Sequence, residues 1–388
     1  MNIDIPKIKY ADIDDLTIAY QVWGTSKDVL IYVPGIVSHL EATLEFDGYR
    51  QWLKNLSNNF KVIIFDKRGQ GMSDRDMDIT GIEPRIDDIT AVAEAEGINE
   101  FSLFGLSEGA AIALFYAATY PSKIKSIAVL GGFSHVHTAD DSWIEKWGEG
   151  ISGYALCPHM MPMMKDKIGK FERMTCNPKT LRRMMETNRK IDIRSILSEI
   201  STPTLICHSR DDMTTIKEDG RFIAEQIKGA KYIEYPNGGH LPYFGLEDDL
   251  SDDLTNFFKK FSKVSSSCVN ENDKLATILF TDIVESTSKL SSFGDKKWSK
   301  LMDSHDDIIF NKIKKYHGQF IKNTGDGSLV IFDGPIRAIK YALEFQSDIK
   351  SLGIECRSGL HIGQIEWRGS DVSGIAVNIA SRVMGFSN

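Results

Sequence analysis

The longest apolar stretch of the chain runs from Ser102 to Tyr120 and is interrupted by Glu108 and two glycines. A membrane-spanning helix needs about 20 predominantly apolar residues, so this broken stretch instead favours a buried strand, a sharp turn and a helix. The turn reads Gly105-Leu106-Ser107-Glu108-Gly109 and is followed by an Ala-rich segment. Small residues on both sides of the serine let a strand and a helix approach closely, so the pattern predicts an α/β domain with Ser107 at the turn.

Short apolar runs recur along the first two thirds of the chain and alternate with helix-like segments. This rhythm predicts a mostly parallel sheet with helices on both faces. Residues 138–193 show no strand pattern, and Met and charged residues mix there at helical spacing, so we predict a helical lid. The predicted strands are Val29–Val33, Val62–Phe65, Phe101–Phe104, Ser126–Leu130, Thr204–Cys207 and Tyr232–Tyr235.

The chain has 388 residues, which suits about two domains of ordinary size. A Ser- and Asn-rich stretch between Phe261 and Lys274 carries little to bury, so the predicted division is a first domain over 1–262, a linker over 263–273 and a second domain over 274–388. In the second domain the pattern predicts a strand, one long helical stretch from Ser286 to His317, a hairpin, a helix and a further strand. This order is typical of an α+β fold with antiparallel pairs.

Composition limits the class of protein. Hydrophobic residues make up 42% and charged residues 26%, as in ordinary globular proteins. The net charge is −10 before Lys274 and +2 from there on, so neither part has the basic surface that nucleic-acid binding requires. The five cysteines show no metal-ligand spacing, and the N-terminus lacks the apolar core of a secretory signal. We therefore expect a cytoplasmic protein that binds neither nucleic acid nor membranes.

Candidates for acid–base chemistry follow two later predicted strands. Thr204–Cys207 leads into His208-Ser209-Arg210-Asp211-Asp212, and Tyr232–Tyr235 leads into Pro236-Asn237-Gly238-Gly239-His240. A serine hydroxyl becomes a nucleophile when a histidine takes its proton and a carboxylate orients that histidine. His240 is the candidate base, with a loop histidine that caps a turn as the alternative, and His208 fits a satisfied core residue.

Backbone N–H groups of Glu108 and Ile36 are the candidate donors of an oxyanion hole, because each follows a predicted strand near the serine. Together these residues resemble an α/β-hydrolase over about Met1 to Phe261, and the serine at the turn resembles the esterase-type members. The resemblance favours Asp212 over Asp211 as the acid. It implies hydrolysis of an unidentified small ester without a cofactor. The lid methionines are open to two interpretations, an adaptable acyl pocket or ordinary packing.

Two further carboxylates follow the linker. Asp282 ends an apolar strand, and Asp326 lies 44 residues later at the tip of the predicted hairpin. A hairpin beside the first strand would bring both carboxylates together, and such a pair suits Mg²⁺ or Mn²⁺ shared with phosphates. The helix start at Val284–Thr287 would offer N–H groups to those phosphates.

Asn378 and Arg382 lie four residues apart and therefore share one face of a predicted helix. With Asp282, Asp326, Lys322 and Asp371 they closely resemble the catalytic domain of class III adenylate/guanylate cyclases, a ferredoxin-like fold. The resemblance implies that Asp282, Ile283 and Asp326 bind two metals, that Lys322 and Asp371 recognise adenine, and that Asn378 and Arg382 stabilise the transition state. It favours ATP over GTP.

The cyclase resemblance also implies a homodimer, because in that family the metal-binding pair and the Asn/Arg pair of one site come from different chains. Relatives continue beyond the equivalent of Asn388, so the second domain is expected to be incomplete. The leading hypothesis is a signalling enzyme that converts ATP to cyclic AMP and pyrophosphate, fused to a serine-hydrolase-like domain. The alternatives are an ester hydrolase with a nucleotide-binding or dimerisation module, and a hydrolase-like ligand sensor that regulates the cyclase.

Overall fold

The computed structural model describes residues 4–75, 81–136, 142–156, 161–262 and 273–386. The chain divides into two compact units, Met1–Val269 and Asn270–Asn388. The predicted linker at 263–273 lies almost entirely outside the described residues. None of the described helices combines the length and apolar character that crossing a bilayer requires.

The first unit is built on an eight-stranded sheet in the order β1-β2-β4-β3-β5-β6-β7-β8. The first two strands pair antiparallel, β2 pairs antiparallel with β4, and the pairs from β4 to β8 are parallel. All six residues of β5 are buried, as expected of a central parallel strand that is covered on both faces. The strands are β1 (Lys9–Ile13), β2 (Leu16–Trp23), β3 (Val29–Val33), β4 (Lys61–Phe65), β5 (Phe101–Leu106), β6 (Ile124–Leu130), β7 (Thr204–Ser209) and β8 (Lys231–Tyr235).

Eight α-helices accompany this sheet among the described residues. The helix after β5 is buried along its whole length, because Ala and other small residues let it pack tightly on the sheet. Short 3₁₀ turns lie at Thr43–Glu45, Pro121–Lys123, Ser142–Lys146 and Arg194–Glu199. The helices are α1 (Asp47–Ser57), α2 (Glu83–Ala95), α3 (Glu108–Thr119), α4 (Gly153–Leu156), α5 (Met161–Thr175), α6 (Pro178–Asn188), α7 (Lys217–Gln226) and α8 (Asp249–Phe261).

The predicted mostly parallel sheet is confirmed, and each of the six predicted strands overlaps an observed one. The two N-terminal strands were missed. β1 lies at the sheet edge and buries only Ala11 among its five residues, so it shows no continuous apolar run. The described part of the predicted lid consists of helices α4, α5 and α6 and the turn at Ser142–Lys146.

The lid is held by a buried carboxylate. Glu172 of α5 is fully buried and accepts hydrogen bonds from the backbone N–H groups of Gly148, Gly150 and Ser152. These bonds satisfy a loop that has no regular partner. They fix the segment before α4 against α5.

The second unit is a five-stranded antiparallel sheet in the order β10-β11-β9-β12-β13. Its central strand alternates its side chains between two cores: Leu279 and Ile283 pack with α10 and α11, and Ile278 and Phe280 pack with α12. The elements are β9 (Asp273–Ile283), α9 (Ser286–Phe293), α10 (Asp295–Lys315), β10 (Gln319–Asn323), β11 (Ser328–Phe332), α11 (Pro335–Ser351), β12 (Cys356–Arg368), β13 (Asp371–Ser373) and α12 (Ile375–Gly385).

The single long helix predicted for Ser286–His317 is wrong in one respect. The structure breaks it at Gly294, whose φ of +74° lies in the left-handed region that ends a helix. Two helices, α9 and α10, result.

Candidate functional site

Ser107 occupies the turn between β5 and α3. Its φ of 56° and ψ of −121° are strained for a residue with a side chain, which is the geometry expected of a serine presented at a strand-to-helix turn. The flanking glycines are required by packing. A Cβ at Gly105 would lie 2.5 Å from the Gly109 carbonyl oxygen, and a Cβ at Gly109 would overlap the Val33 carbonyl. The strain is thus imposed by the close approach of strand and helix.

The structure pairs His240 with Asp212. Nδ1 of His240 lies 2.8 Å from Oδ2 of Asp212. A carboxylate only accepts, so this contact places the proton on Nδ1 and leaves Nε2 as a proton acceptor. Both side chains are at most 2% exposed. Residues from the ends of two different strands therefore form the acid–base pair that the sequence predicted.

Further hydrogen bonds fix the Asp212 carboxylate. The backbone N–H groups of Thr214 and Thr215 donate to Oδ1, and the Thr215 hydroxyl donates to Oδ2. Burial alone would raise the pKa of Asp212, but the charge and hydrogen bond of His240, together with these N–H donors, outweigh it and lower the pKa to about 2. Asp212 is therefore ionised at any physiological pH.

Asp211 has a different task. Its carboxylate accepts hydrogen bonds from the backbone N–H groups of Gly238 and Gly239, at 3.4 and 2.9 Å. It therefore holds the loop that carries His240 and does not contact the histidine ring through these bonds.

His208 is fully buried, as predicted, but the prediction of a satisfied core residue holds for one ring nitrogen only, because Nδ1 has no hydrogen-bond partner within the described residues. Its Nε2 lies 3.1 Å from the Thr215 carbonyl oxygen and 3.7 Å from Oδ2 of Asp212. The contact with Thr215 places it behind the acid rather than at the serine.

A cavity of about 580 Å³ lies over the serine. Its wall includes Ser107, Ile36 and Glu108, and most of the remaining lining residues are apolar. Neither Ile36 nor Glu108 donates its backbone N–H to another group within the described residues. Two unengaged N–H groups at the cavity wall are what an oxyanion hole requires. Much of the apolar lining comes from the lid and from the segment that follows β6. The lid contributes Trp143, Trp147, Ile151, Ala155 and Leu156, and the preceding segment contributes Phe133 and Val136.

The sequence did not single out Lys67. This lysine lies in the Gly-rich turn after β4, is 2% exposed, and donates to the carbonyl oxygens of Pro34 and Gly35 and to Oε2 of Glu108. Arg85 also pairs with the Glu108 carboxylate. The available signal was the charged Asp66-Lys67-Arg68 run between a buried strand and a glycine turn, a pattern for which a structural loop is the simplest interpretation. Asp66 and Arg68 do fit that interpretation, since they bond to Leu40, Met72 and Asp88.

In the second unit, the hairpin places Asp326 beside Asp282. The pKa of Asp282 is raised by its burial and by the neighbouring Asp326 carboxylate, while Arg357 opposes the shift. Gly327 makes the approach possible, because a Cβ there would overlap the Thr281 carbonyl oxygen. Below the carboxylates, the hydroxyls of Thr281 and Ser328 are 2.8 Å apart and link β9 to β11.

The paired carboxylates fit a divalent cation. Two like charges held together favour a cation between them, and Mg²⁺ commonly takes one or two protein carboxylates plus phosphate oxygens. Ile283 packs its side chain in the core, so only its backbone carbonyl could contribute. Within the described ranges no cluster of three His, Cys, Asp or Glu side chains is present. Nε and Nη2 of Arg357 both donate to Oδ2 of Asp282, at 2.9 and 2.6 Å.

Lys322 and Asp371 meet although they belong to opposite edge strands of the sheet. Nζ of Lys322 lies 2.5 Å from Oδ2 of Asp371, and each side chain is about half exposed. Asn378 and Arg382 lie on one exposed face of α12, as the spacing predicted. In the part of the chain that the structure describes, no hydrogen bond or ion pair links their side chains to Asp282 or Asp326.

Comparisons with known proteins support the first unit. A family model described as the alpha/beta hydrolase fold matches residues 28–156. Serine hydrolase BPHL of Homo sapiens is 26% identical over 257 residues, covering 62% of this chain and 82% of that protein. The 3-oxoadipate enol-lactonase 1 of Acinetobacter baylyi is 23% identical over 223 residues, covering 54% of this chain and 82% of that protein.

Solved structures agree on the fold. A hydrolase from Pseudomonas aeruginosa PA01 has a TM-score of 0.56 at 20% identity, covering 64% of this chain and 97% of its own. The enol-lactonase of Burkholderia xenovorans LB400 also has a TM-score of 0.56, at 18% identity, covering 65% of this chain and 100% of its own. The N-terminal unit of the chain therefore has the α/β-hydrolase fold.

Proposed function

We propose that the first unit hydrolyses carboxylic esters with Ser107 as the nucleophile. The observation that carries the proposal is the buried His240–Asp212 pair at 2.8 Å, combined with a strained serine that opens on an apolar cavity. The similarity to proteins named serine hydrolase and enol-lactonase supports the same class of reaction.

The residues define an acyl-transfer sequence. Nε2 of His240 takes the Ser107 proton as Oγ attacks the ester carbonyl, and the N–H groups of Ile36 and Glu108 stabilise the tetrahedral oxyanion. The alkoxide leaves with the proton from Nε2, and an acyl-serine remains. Water then gives its proton to His240 and attacks the acyl-serine, which releases the carboxylic acid and restores the serine.

The cavity suggests the substrate class. Its wall is mostly apolar, and about 580 Å³ accommodates a small organic group. We therefore infer esters or lactones with a short-to-medium apolar part.

Hydrolysis of p-nitrophenyl esters from acetate to octanoate tests this proposal. We expect turnover by the full chain and its loss in Ser107→Ala by at least about 10³-fold. Ser102→Ala is the matched control, because Ser102 lies on the same strand as the serine turn and its hydroxyl lies 3.0 Å from that of Ser126. Turnover that survives Ser107→Ala would overturn the proposal, as would a wild-type protein that neither hydrolyses esters nor reacts with a fluorophosphonate.

We propose nucleotide cyclisation as a second candidate function, for the C-terminal unit. The specific observation is that two distant pairs meet as the cyclase resemblance implies: Asp282 with Asp326, and Lys322 with Asp371. The βαββαβ order, with β9 central between β11 and β12, also supports a ferredoxin-like domain.

In this candidate, each pair has a defined task. The carboxylates of Asp282 and Asp326 would hold divalent cations, which when bound neutralise the phosphates and acidify the ribose hydroxyl. Lys322 would donate to an adenine ring nitrogen and Asp371 would accept from the amino group. Asn378 and Arg382 would orient the ribose and stabilise charge on the α-phosphate, supplied to the site of a second copy.

Incubation of the full chain with ATP or GTP and Mn²⁺, with chromatographic detection of cyclic nucleotide, tests this candidate. We expect cyclic AMP, and its loss in Asp282→Asn together with weaker Mn²⁺ binding measured by electron paramagnetic resonance. Absence of product, or activity that persists in Asp282→Asn, would overturn it. Asp303→Asn, on α10, is the control.

A further inference from the structure

A buried lysine connects the two segments that carry the candidate oxyanion donors. Nζ of Lys67 lies 3.1 Å from the Pro34 carbonyl oxygen, 2.5 Å from that of Gly35 and 2.9 Å from Oε2 of Glu108. An ammonium group has three N–H donors, so these three acceptors use all of them. Two acceptors belong to the loop that ends at Ile36, and the third belongs to the residue after the nucleophile.

β3 and β5 pair in parallel up to Val33 and Gly105, and Lys67 adds side-chain hydrogen bonds to the residues that follow this last pair. The loop at 34–36 follows β3 and Glu108 follows β5, so the two donors belong to segments that are about 70 residues apart. Gly35 lies against Ser107, since a Cβ there would be 3.3 Å from the serine Cβ. We propose that Lys67 is a positioning residue that sets the separation of the Ile36 and Glu108 N–H groups. This proposal rests on the proposed ester hydrolysis.

Stability alone is a poor explanation for this lysine. Burying an ammonium and a carboxylate costs free energy that their attraction often only offsets, and an apolar pair of similar size would serve as well. A lysine with three directed hydrogen bonds does what an apolar residue cannot: it holds two carbonyl groups and a carboxylate at defined places. Preorganised donors are worth most where charge develops in the transition state.

Arg85 makes the lysine testable. It pairs with the same Glu108 carboxylate and donates to Oδ1 of Asn188 at 2.7 Å. If Lys67 is replaced, the Glu108 carboxylate therefore still has a buried cationic partner. Lys67→Met, which keeps the length of the side chain, removes the bonds to residues 34 and 35 without leaving an unpaired charge.

We expect Lys67→Met to lower kcat for p-nitrophenyl butyrate by about 10²-fold with KM changed less than about 3-fold, because the loss is felt in the transition state. The rate of Ser107 labelling by a fluorophosphonate should fall in parallel. The affinity for a boronic acid that forms a tetrahedral adduct should also fall about 10²-fold, while affinity for the product carboxylate stays within about 3-fold.

The double variant Arg68→Gln/Asp88→Asn is the matched control. It removes a neighbouring buried ion pair whose hydrogen bonds involve neither residues 34–36 nor the serine turn. We expect it to lose thermal stability and to retain kcat per active site within about 3-fold, with active sites counted by fluorophosphonate titration. If Lys67→Met does not fold, Lys67→Gln is to be measured in its place, and the same kcat loss is expected.

Each outcome of these measurements supports or overturns the positioning role of Lys67. If the wild type turns over and the lysine variants retain its kcat, or if KM rises while kcat is unchanged, the positioning role is wrong and the proposed hydrolysis stands. A kcat loss of the same size in the control also overturns the role, because it shows a general packing effect. A wild type that is inert towards esters and fluorophosphonate overturns the hydrolysis, and the inference falls with it.

Discussion

Asp212 and Asp211 are neighbours in the chain, and Asp212 pairs with His240, with 2.8 Å between Oδ2 and Nδ1. Asp211 turns to the backbone of Gly238 and Gly239. Adjacent carboxylates therefore divide two tasks, orienting the base and holding its loop.

This division of roles predicts different effects for the Asp212→Asn and Asp211→Asn substitutions. Asp212→Asn should lower kcat by about 10³–10⁴-fold with little loss of stability, because an amide no longer favours the Nδ1 tautomer. Asp211→Asn should lower the melting temperature by a few degrees and kcat less than about 10-fold. Steady-state kinetics and thermal unfolding on both variants check this, and an equal kcat loss would contradict the assignment.

The lid aromatics predict acyl selectivity. Trp143 packs edge to face on Trp147, with ring centroids 5.8 Å apart, and both line the cavity. Trp143→Ala should enlarge the cavity and raise the ratio of kcat/KM for octanoate over butyrate esters by about 10-fold. Trp298→Ala, in the second unit, should leave this ratio unchanged. A lower ratio in Trp143→Ala would show that the acyl group binds elsewhere.

Glu96 predicts a pH dependence of stability. It accepts from Lys9, Lys61 and Tyr20. Burial would raise its pKa, but these partners outweigh it and lower the pKa from 4.5 to about 2. Its stabilisation is therefore fully present above about pH 4.5 and is lost as the pH falls towards 2.

Glu96→Gln should reduce the free energy of unfolding by about 1–2 kcal/mol at pH 7, since two partners are partly exposed. The difference from wild type should shrink as the pH falls from 4.5 to 3, measured by urea unfolding. Glu94→Gln is the control, because the long 3.8 Å contact of Glu94 with Lys123 is largely exposed. A difference that does not vary with pH would contradict the assignment.

Gly327 predicts a link between packing and the carboxylate pair. Gly327→Ala should push β11 away from the Thr281 carbonyl, destabilise the second unit by about 2–4 kcal/mol and weaken Mn²⁺ binding. Gly325→Ala provides the comparison: its φ of +93° makes the substitution strained, but a Cβ there meets nothing within 4 Å. It should cost about 1–2 kcal/mol. Equal Mn²⁺ affinity in both variants would contradict the link.

The sequence predicted what depends on local pattern. Asp212 and His240 each follow an apolar run, and the ends of parallel strands meet at one edge of a sheet, so their pairing was foreseeable. Gly294 could have signalled the break between α9 and α10, but a glycine within an apolar helical pattern is often tolerated.

Contacts between distant segments were not readable from pattern. Lys67 bonds to residues 32, 33 and 41 positions away, and no periodicity indicates where a buried ammonium will find its acceptors. Lys322 and Asp371 could be named only through a family resemblance, because they come from opposite sheet edges. The Arg357 contact with Asp282 was missed because the two residues are 75 positions apart, although they face each other across the adjacent strands β9 and β12.

If Ser107 is the nucleophile as proposed, its buried position has a consequence for the order of events there. The serine is 7% exposed, and the cavity that admits the ester also borders the bond that water must attack later. An acyl group that fills this cavity would exclude the water molecule that must attack the acyl-serine. Bulky esters should therefore acylate Ser107 once, and the acyl group should then remain attached. In that case the lid would limit the rate of deacylation as well as the size of the ester that enters.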